Sequence, residues 1–174
     1  MRLRPYIPET DFDVIREWIT DPRTHALWCA NRFAYPLSAE NFGGTLRDLR
    51  VRNGDIPFVA FEGGRPVGFF CYSLHPETNE GLLKFVMVDP ALRGQGFGKA
   101  MLRLAVEYAF SISKADAVSL RVFTENTGAV KCYEHAGFTE EKTELNAFPY
   151  LDESWGRRSM VIRKPADGTI ESEE

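Results

Sequence analysis

The chain is poor in the residues that build metal centres and disulfide frameworks. Its three cysteines, Cys29, Cys71 and Cys132, are far apart, odd in number and without a CxxC spacing, which argues against both a disulfide scaffold and a zinc site. Its three histidines, His25, His75 and His135, form neither an HxH nor an HExxH pattern, so no metal is expected. No apolar run approaches the roughly 18 residues of a membrane span. The N-terminal MRLRPYIPETDF also lacks an apolar segment of signal-peptide length. The expectation is a cytoplasmic protein with free thiols and no membrane contact. Neither sign of charge dominates, since 21 Lys and Arg face 25 Asp and Glu for a net charge of -4. Such a balance argues against binding nucleic acid through the overall field, while a local basic patch can still hold a small anion.

What is present is an ordinary globular composition, 44% apolar and 26% charged over 174 residues, enough for one domain with a sizeable core. Residues 2–7 predict a short edge strand, because Pro5 lacks the donor a central strand needs. A helix is predicted next, capped by Thr10 or Asp11, with Phe12, Ile15, Trp18 and Ile19 at helical spacing and Asp21-Pro22 ending it. The aromatic-rich stretch from Thr24 to Pro36 has mixed periodicity and predicts no single element. Ser38, with Glu40 or Asn41, opens a second helix through a capping box, weakened by Gly43 and Gly44.

From residue 55 the period changes to that of strands. Residues 56–62, a Gly63-Gly64-Arg65 turn, residues 66–75 and residues 78–88 read as a three-stranded meander. Met101, Leu102, Ala105, Tyr108, Ala109 and Ile112 mark one face of a helix from about Gly98 to Ser113. Residues 117–123 form a continuous apolar run with one arginine, as in a buried strand. Asn126 or Thr127 caps another helix that ends at Gly137, Phe138 starts a further strand, and residues 154–164 form the last one. The fold class is therefore α/β: one domain over residues 1–164, a mixed sheet of about seven strands with helices on both faces. Residues 165–174 form a polar, acidic tail that is expected to be disordered.

The segment with most chemistry in it is RGQGFGKAM, residues 93–101. A Walker A loop needs Gly five residues before its Gly-Lys pair and Ser or Thr after it, but Arg93 and Ala100 stand in those places. A dinucleotide fingerprint needs GxGxxG tight against a strand, but Lys99 occupies the place of the third glycine and Pro90-Ala91-Leu92 intervene. What remains is RxxGxG, from Arg93 through Gly96 to Gly98, opening directly into a helix. Glycines without Cβ let an anion approach the unpaired N–H groups of a first helical turn, and a pyrophosphate suits such a site.

With this loop, the FVMVDP strand before it, Asn126 after the next strand and YEHAGF at 133–138, the chain resembles the GNAT superfamily of acyl-CoA-dependent N-acyltransferases. The likeness is carried by about residues 55–140, and the flanking helices match by order of elements. It implies a GNAT fold and acetyl-CoA as cosubstrate. The expected cofactor contacts are the Arg93, Gly94, Gln95, Gly96, Phe97, Gly98 and Lys99 loop, the main chain of Val86, Met87 and Val88 where the sheet splits, Asn126 and Tyr133. Asn126 is expected to touch the pantetheine, to position a water or simply to cap its helix.

The implied reaction is attack of a small-molecule primary amine on the thioester in a ternary complex. A main-chain N–H near Met87 or Val88 is expected to stabilise the oxyanion, and Tyr133 to give a proton to the CoA sulfur. Glu80 is the expected general base, placed on one face with Leu82, Lys84, Val86 and Val88 if the strand is unbroken, or displaced by a bulge at Gly81; Glu125 and water alone stay open. Trp28, Asn31, Arg32, Phe33 and Tyr35, with Phe148, Tyr150 and Trp155, are expected to shape the acceptor pocket, Arg32 holding any substrate carboxylate. A protein N-terminal or lysine acetyltransferase and a non-catalytic CoA sensor are the rival readings, and a homodimer is an open possibility.

Overall fold

The computed structural model describes residues 1–165; residues 166–174, most of the expected tail, lie outside the described residues. The elements are β1 (Arg2–Pro5), α1 (Pro8–Arg16), α2 (Pro22–Cys29), α3 (Ala39–Asn53), β2 (Ile56–Glu62), β3 (Arg65–His75) and β4 (Glu80–Val88), followed by a 3-10 turn (Pro90–Leu92). Then come α4 (Phe97–Ser111), β5 (Ala117–Phe123), α5 (Thr127–His135), β6 (Thr139–Tyr150) and β7 (Glu153–Arg163). The strands form one mixed sheet in the order β1-β2-β3-β4-β5-β7-β6, in which β4 and β5 are parallel.

The period-two alternation of the strands sorts their side chains onto two faces. On one face Phe70, Tyr72, Leu83, Leu120 and Val122 pack under Met101, Leu102 and Ala105 of α4 and Val130 and Tyr133 of α5. On the other, Val59, Phe69, Cys71 and Met87 pack under Phe12 and Ile15 of α1, Cys29 of α2 and Phe42 and Leu46 of α3. A third cluster joins Ala26 of α2 to Phe123 and Trp155 at one end of β5 and β7. Helices therefore lie on both faces, as expected, but on the second face they cover β2 to β4 and only the end of β5.

The N-terminal region differs most from expectation. Three helices stand there in place of two. Asp21-Pro22 starts α2, with the Asp21 carboxylate accepting the Thr24 N–H at 2.9 Å and Pro22 in the first turn. The pair caps α2 but does not end α1, which stops at Arg16 with Glu17 as its C-cap, so Trp18 and Ile19 lie beyond the first helix instead of on it. The first helix begins at Pro8, so Asp11 lies inside it. Asp11 is completely buried, holds both Nη atoms of Arg4 at 2.7 Å and accepts the Ile7 N–H at 2.8 Å. Burial pushes its carboxyl upward, but Arg4, the Ile7 N–H and Thr10 outweigh that and leave it below the ordinary value.

A lowered folded-state pKa means that the carboxylate stabilises the fold above about pH 4 and that this contribution is lost as pH falls through the folded value. Asp11→Asn is expected to cost roughly 2–3 kcal/mol at pH 7, with the gap to wild type closing below about pH 4. Urea melts across pH test this; a constant gap would place the effect in packing instead.

The remaining elements match the reading within a few residues. The Ser38 capping box closes with Asn41, whose N–H reaches Ser38 Oγ at 3.2 Å while Asn41 Oδ1 accepts the Ser38 N–H at 3.1 Å. Helix α5 ends with the Phe138 N–H reaching back to Tyr133 O at 3.0 Å and Gly137 at φ 93°, a conformation that favours glycine.

Candidate active site

β4 and β5 pair only from Glu80↔Ala117 to Leu83↔Leu120. Beyond that point the strands part, and the edge of β4 from Lys84 to Val88 has no strand partner on that side among the described residues. A bulge lies at the same place. Phe69 pairs with Met87 and Cys71 with Lys84, so Phe70 alone faces two residues, Phe85 and Val86. Phe85 has φ 53°, uncommon for a residue with a side chain, at a cost of about 1–3 kcal/mol that its surroundings must offset. Trp28 does this: its Nε1 donates to Phe85 O at 2.9 Å, and it stacks on Phe33 at 5.1 Å with the planes 7° apart, while Phe33 meets the Phe85 ring edge-on at 4.9 Å.

The extra residue changes which way β4 faces. Lys84 lies opposite Cys71 and Phe85 packs with the α1–α3 cluster, whereas Val86 and Val88 pack with the α4–α5 cluster. The expected common face of Glu80, Lys84, Val86 and Val88 is therefore wrong, and the bulge is at Phe85 instead of Gly81. Gly81 serves a different need, since a Cβ there would sit 2.7 Å from the Tyr72 ring. Main-chain directions follow as well. The Asp89 N–H donates to Val67 O, so by antiparallel alternation Met87 bonds Phe69 across the ladder and Val88 turns its N–H and C=O to the free edge. Of the two N–H groups expected near an oxyanion, Val88 is free and Met87 is committed to β3.

The glycine loop lies just past that edge. Gly94 and Gly96 have φ of 74° and 85°, and Gly96 is the N-cap of α4. The six N–H groups from Gly94 to Lys99 have no protein acceptor in hydrogen-bonding geometry among the described residues. Arg93 and Lys99 are exposed and make no ion pair among the described residues. Gly98 does something else, because a Cβ there would lie 2.7 Å from Cys132 Sγ. It lets α4 and α5 approach closely.

Tyr133, on α5, is 6% exposed. Its hydroxyl has no hydrogen-bond partner among the described residues and is not sealed from solvent. Burial pushes the phenol above its ordinary pKa, so it stays protonated through the neutral range. Asn126 caps α5, its Oδ1 accepting the Ala129 N–H at 3.4 Å, which leaves the side-chain NH2 available. Glu125 is half-buried beyond the end of β5, with Thr124 Oγ1 donating to it at 3.0 Å.

Glu80 is not brought to this group. It sits at the paired end of β4, between His75 and Ala117, five residues before the bulge, or roughly 16 Å along the strand. The aromatic wall is mostly core: Phe33 is 2% exposed, Trp155 is fully buried under Tyr150, and Trp28 is half-buried and bonded to Phe85. Asn31, Arg32 and Tyr35 are exposed.

Sequence reasoning missed what holds that segment. The His25 ring lies 3.2 Å from Asn31 Oδ1 through Nδ1 and 3.4 Å from Cys29 Sγ through Nε2. With Nδ1–H donating, Nε2 accepts from the thiol. Burial holds His25 below its ordinary pKa, so this neutral arrangement persists, with Ala30 and Asn31 both left-handed beside it. No sequence signal marks it, nor the bulge, since Phe85 stands where a glycine would have been conspicuous.

Because Trp28 anchors the bulge, Trp28→Phe is expected to keep the stack but free the Phe85 carbonyl. Turnover should fall about tenfold, the equivalent of one net hydrogen bond, with the circular dichroism spectrum unchanged. Wild-type rates in that variant would show that the bond is dispensable.

Comparison with known proteins agrees with this geometry. The chain matches the acetyltransferase (GNAT) family over residues 12–138. It is 32% identical over 127 residues to mycothiol acetyltransferase of Beutenbergia cavernae, covering 69% of this chain and 42% of that protein. It thus spans less than half the length of that relative. Against aminoglycoside N(6')-acetyltransferase type 1 of Klebsiella pneumoniae it is 24% identical, covering 78% and 72% of the two chains. Spermidine N-acetyltransferase of Vibrio cholerae, solved with CoA and spermine, superposes with a TM-score of 0.78 at 20% identity over 93% and 94% of the chains, a likeness of fold. The family match runs from inside α1 through Phe138 and takes in the split strand, the glycine loop and Tyr133, and the protein is a member of the GNAT acetyltransferase family.

Proposed function

We propose that the protein transfers the acetyl group of acetyl-CoA to a primary amine of a small molecule, by direct attack in a ternary complex. The observation that carries this reading is the run of unsatisfied N–H groups from Gly94 to Lys99 immediately beyond the free edge of β4. Acetyl-CoA supplies the acyl thioester; the rest is the work of this chain. The loop cradles the pyrophosphate, with Arg93 and Lys99 adding positive charge and Gln95 and Phe97 contributing main-chain donors. The free edge at Val86 and Val88 takes the pantetheine amides as an added strand would, with Met87 packing beneath, and the Asn126 amide faces the same arm. The Val88 N–H is the donor for the oxyanion.

The amine nitrogen forms its bond to the carbonyl carbon, the carbon–sulfur bond breaks, and the sulfur leaves with its electron pair toward Tyr133. Between ordinary values, proton transfer from a phenol to a thiolate is uphill by about 2 kcal/mol. Tyr133 therefore acts first as a hydrogen-bond donor to the developing charge. Burial raises phenol and thiol alike, so the proton that ends on the sulfur is made good by water re-protonating Tyr133. The proton from the amine leaves through water, with Glu125 as the carboxylate at the open end of the cleft. A small acceptor is supported by relatives named for mycothiol, aminoglycosides and spermidine.

The test is thiol release from acetyl-CoA with a panel of amines and peptides. Release should require an amine, yield one acetylated amine per thiol, and give intersecting initial-rate lines as a ternary complex requires. Failure of the folded protein to bind acetyl-CoA by calorimetry would remove the reading.

A further inference from the structure

Where β4 and β5 part, the first position beyond the last pair is Lys84 on one strand and Arg121 on the other. Both look to the α1–α3 side. Leu120 and Val122 flank Arg121 and pack under α4 and α5, so Arg121 points the opposite way, while Lys84 lies across from Cys71. On β7 the residue opposite Arg121 is Ser159, and its diagonal neighbour on the same face is Arg157, opposite Phe123. Three cations thus stand on adjacent positions of one face of a mixed sheet.

Two of them are neutralised. Lys84 Nζ is 2.6 Å from Asp55 Oδ1, and the Arg157 Nε and Nη2 atoms both bond Glu144 Oε2, at 3.1 and 2.8 Å. Arg121 has no carboxylate, hydrogen-bond or aromatic partner among the described residues, and it is exposed on an inner strand of the sheet. The helices of this face reach β5 only at Phe123, leaving Arg121 open with the hydroxyls of Ser119 and Ser159 beside it. Leu83 and Leu120 are the last pair, about 5 Å apart, and Phe85 and Arg121 each lie within two residues of it, so a group held by Arg121 lies within one small-molecule length of the Phe85 bulge.

We infer that Arg121 is the docking residue for an anionic group, a carboxylate or a phosphate, carried by the acceptor amine. This rests on the acetyl-transfer reading above and names the class of acceptor within it. A guanidinium offers two parallel N–H donors that match an oxyanion pair, and no protein carboxylate competes for them. The same floor disfavours acceptors such as spermidine or aminoglycosides, which carry several ammonium groups at neutral pH. The acceptor is held by its anion at the apex of the cleft, and its amine points toward the free edge of β4. Specificity then comes from repulsion of polycations as much as from attraction of the anion.

The experiment uses matched pairs differing only in the anion: amino acids against their amides, and phosphoethanolamine against ethanolamine. Each is assayed for thiol release and, separately, by calorimetry on the CoA-loaded protein. The anionic member of at least one pair should be preferred about 10- to 100-fold in kcat/KM, and Arg121→Ala should erase that preference chiefly through KM. Arg121→Lys should retain part of it, and Arg121→Asp should turn the preference toward cationic amines. Equal use of both members of every pair, or a preference that survives in Arg121→Ala and disappears in Arg32→Ala, overturns the assignment while acetyl transfer stands. Arg121-dependent binding of anions without thiol release does the reverse, keeping the anion site and removing the transfer reading. Absence of both binding and preference overturns the anion site.

Discussion

Gly96→Val is expected to weaken acetyl-CoA binding at least about 100-fold while leaving the protein folded. Gly96 has φ 85°, which a β-branched residue adopts only with strain, of about 1–2 kcal/mol. A Cβ at this position meets nothing within 4 Å, so the protein tolerates the added bulk. The bulk instead projects into open space at the first turn of α4, among the N–H groups that have no internal acceptor. Losing two charge-assisted hydrogen bonds of roughly 1.5–3 kcal/mol each corresponds to 100-fold or more in Kd. Calorimetry with acetyl-CoA measures the loss, and a thermal melt within a few degrees of wild type confirms that folding is not the cause. A Kd within threefold of wild type would mean that the phosphates lie elsewhere.

Tyr133→Phe should do the opposite, leaving binding within about threefold and lowering kcat about 100-fold, the usual scale for loss of a positioned acid. The ring stays in the same packed place beside Phe138, at 6.3 Å between centroids, so the change removes only the hydroxyl. The pH dependence supplies a second check. Because burial raises the phenol, it keeps its proton across the assay range, and wild-type kcat should show no alkaline fall assignable to Tyr133 below about pH 10. A variant with unchanged kcat would leave the sulfur to be protonated by water. An alkaline limb near pH 8 that vanishes in the phenylalanine form would contradict the direction given for the phenol.

Much of this was legible in the sequence because local chemistry carried it. Gly63 and Gly64, both left-handed, announced the first hairpin, and the apolar run at 117–123 announced a buried strand. The anion loop could be separated from two other phosphate motifs by what stood at Arg93, Lys99 and Ala100. What stayed hidden depends on partners distant in sequence. Trp28 read as a substrate wall, yet its indole is used 57 residues away at Phe85. Gly98 read as a phosphate glycine, yet Cys132 is what forbids a side chain there. Glu80 shares a face with Val86 and Val88 only if the strand is unbroken, and the pairing of β4 with β5 sets it at the paired end, away from the split. Arg121 drew no attention inside its apolar run, because only the sheet shows that its two cationic neighbours are neutralised while it is not.

The kink at Phe85 divides the labour of β4. Side chains upstream of it, Leu82 and Lys84, look to the α1–α3 side, and those downstream, Val86 and Val88, to the α4–α5 side. No position serves both. On the acetyl-transfer reading proposed above, a lineage built on this strand is free to rewrite its choice of amine by exchanging residues ahead of the kink, with the carrier's lodging untouched.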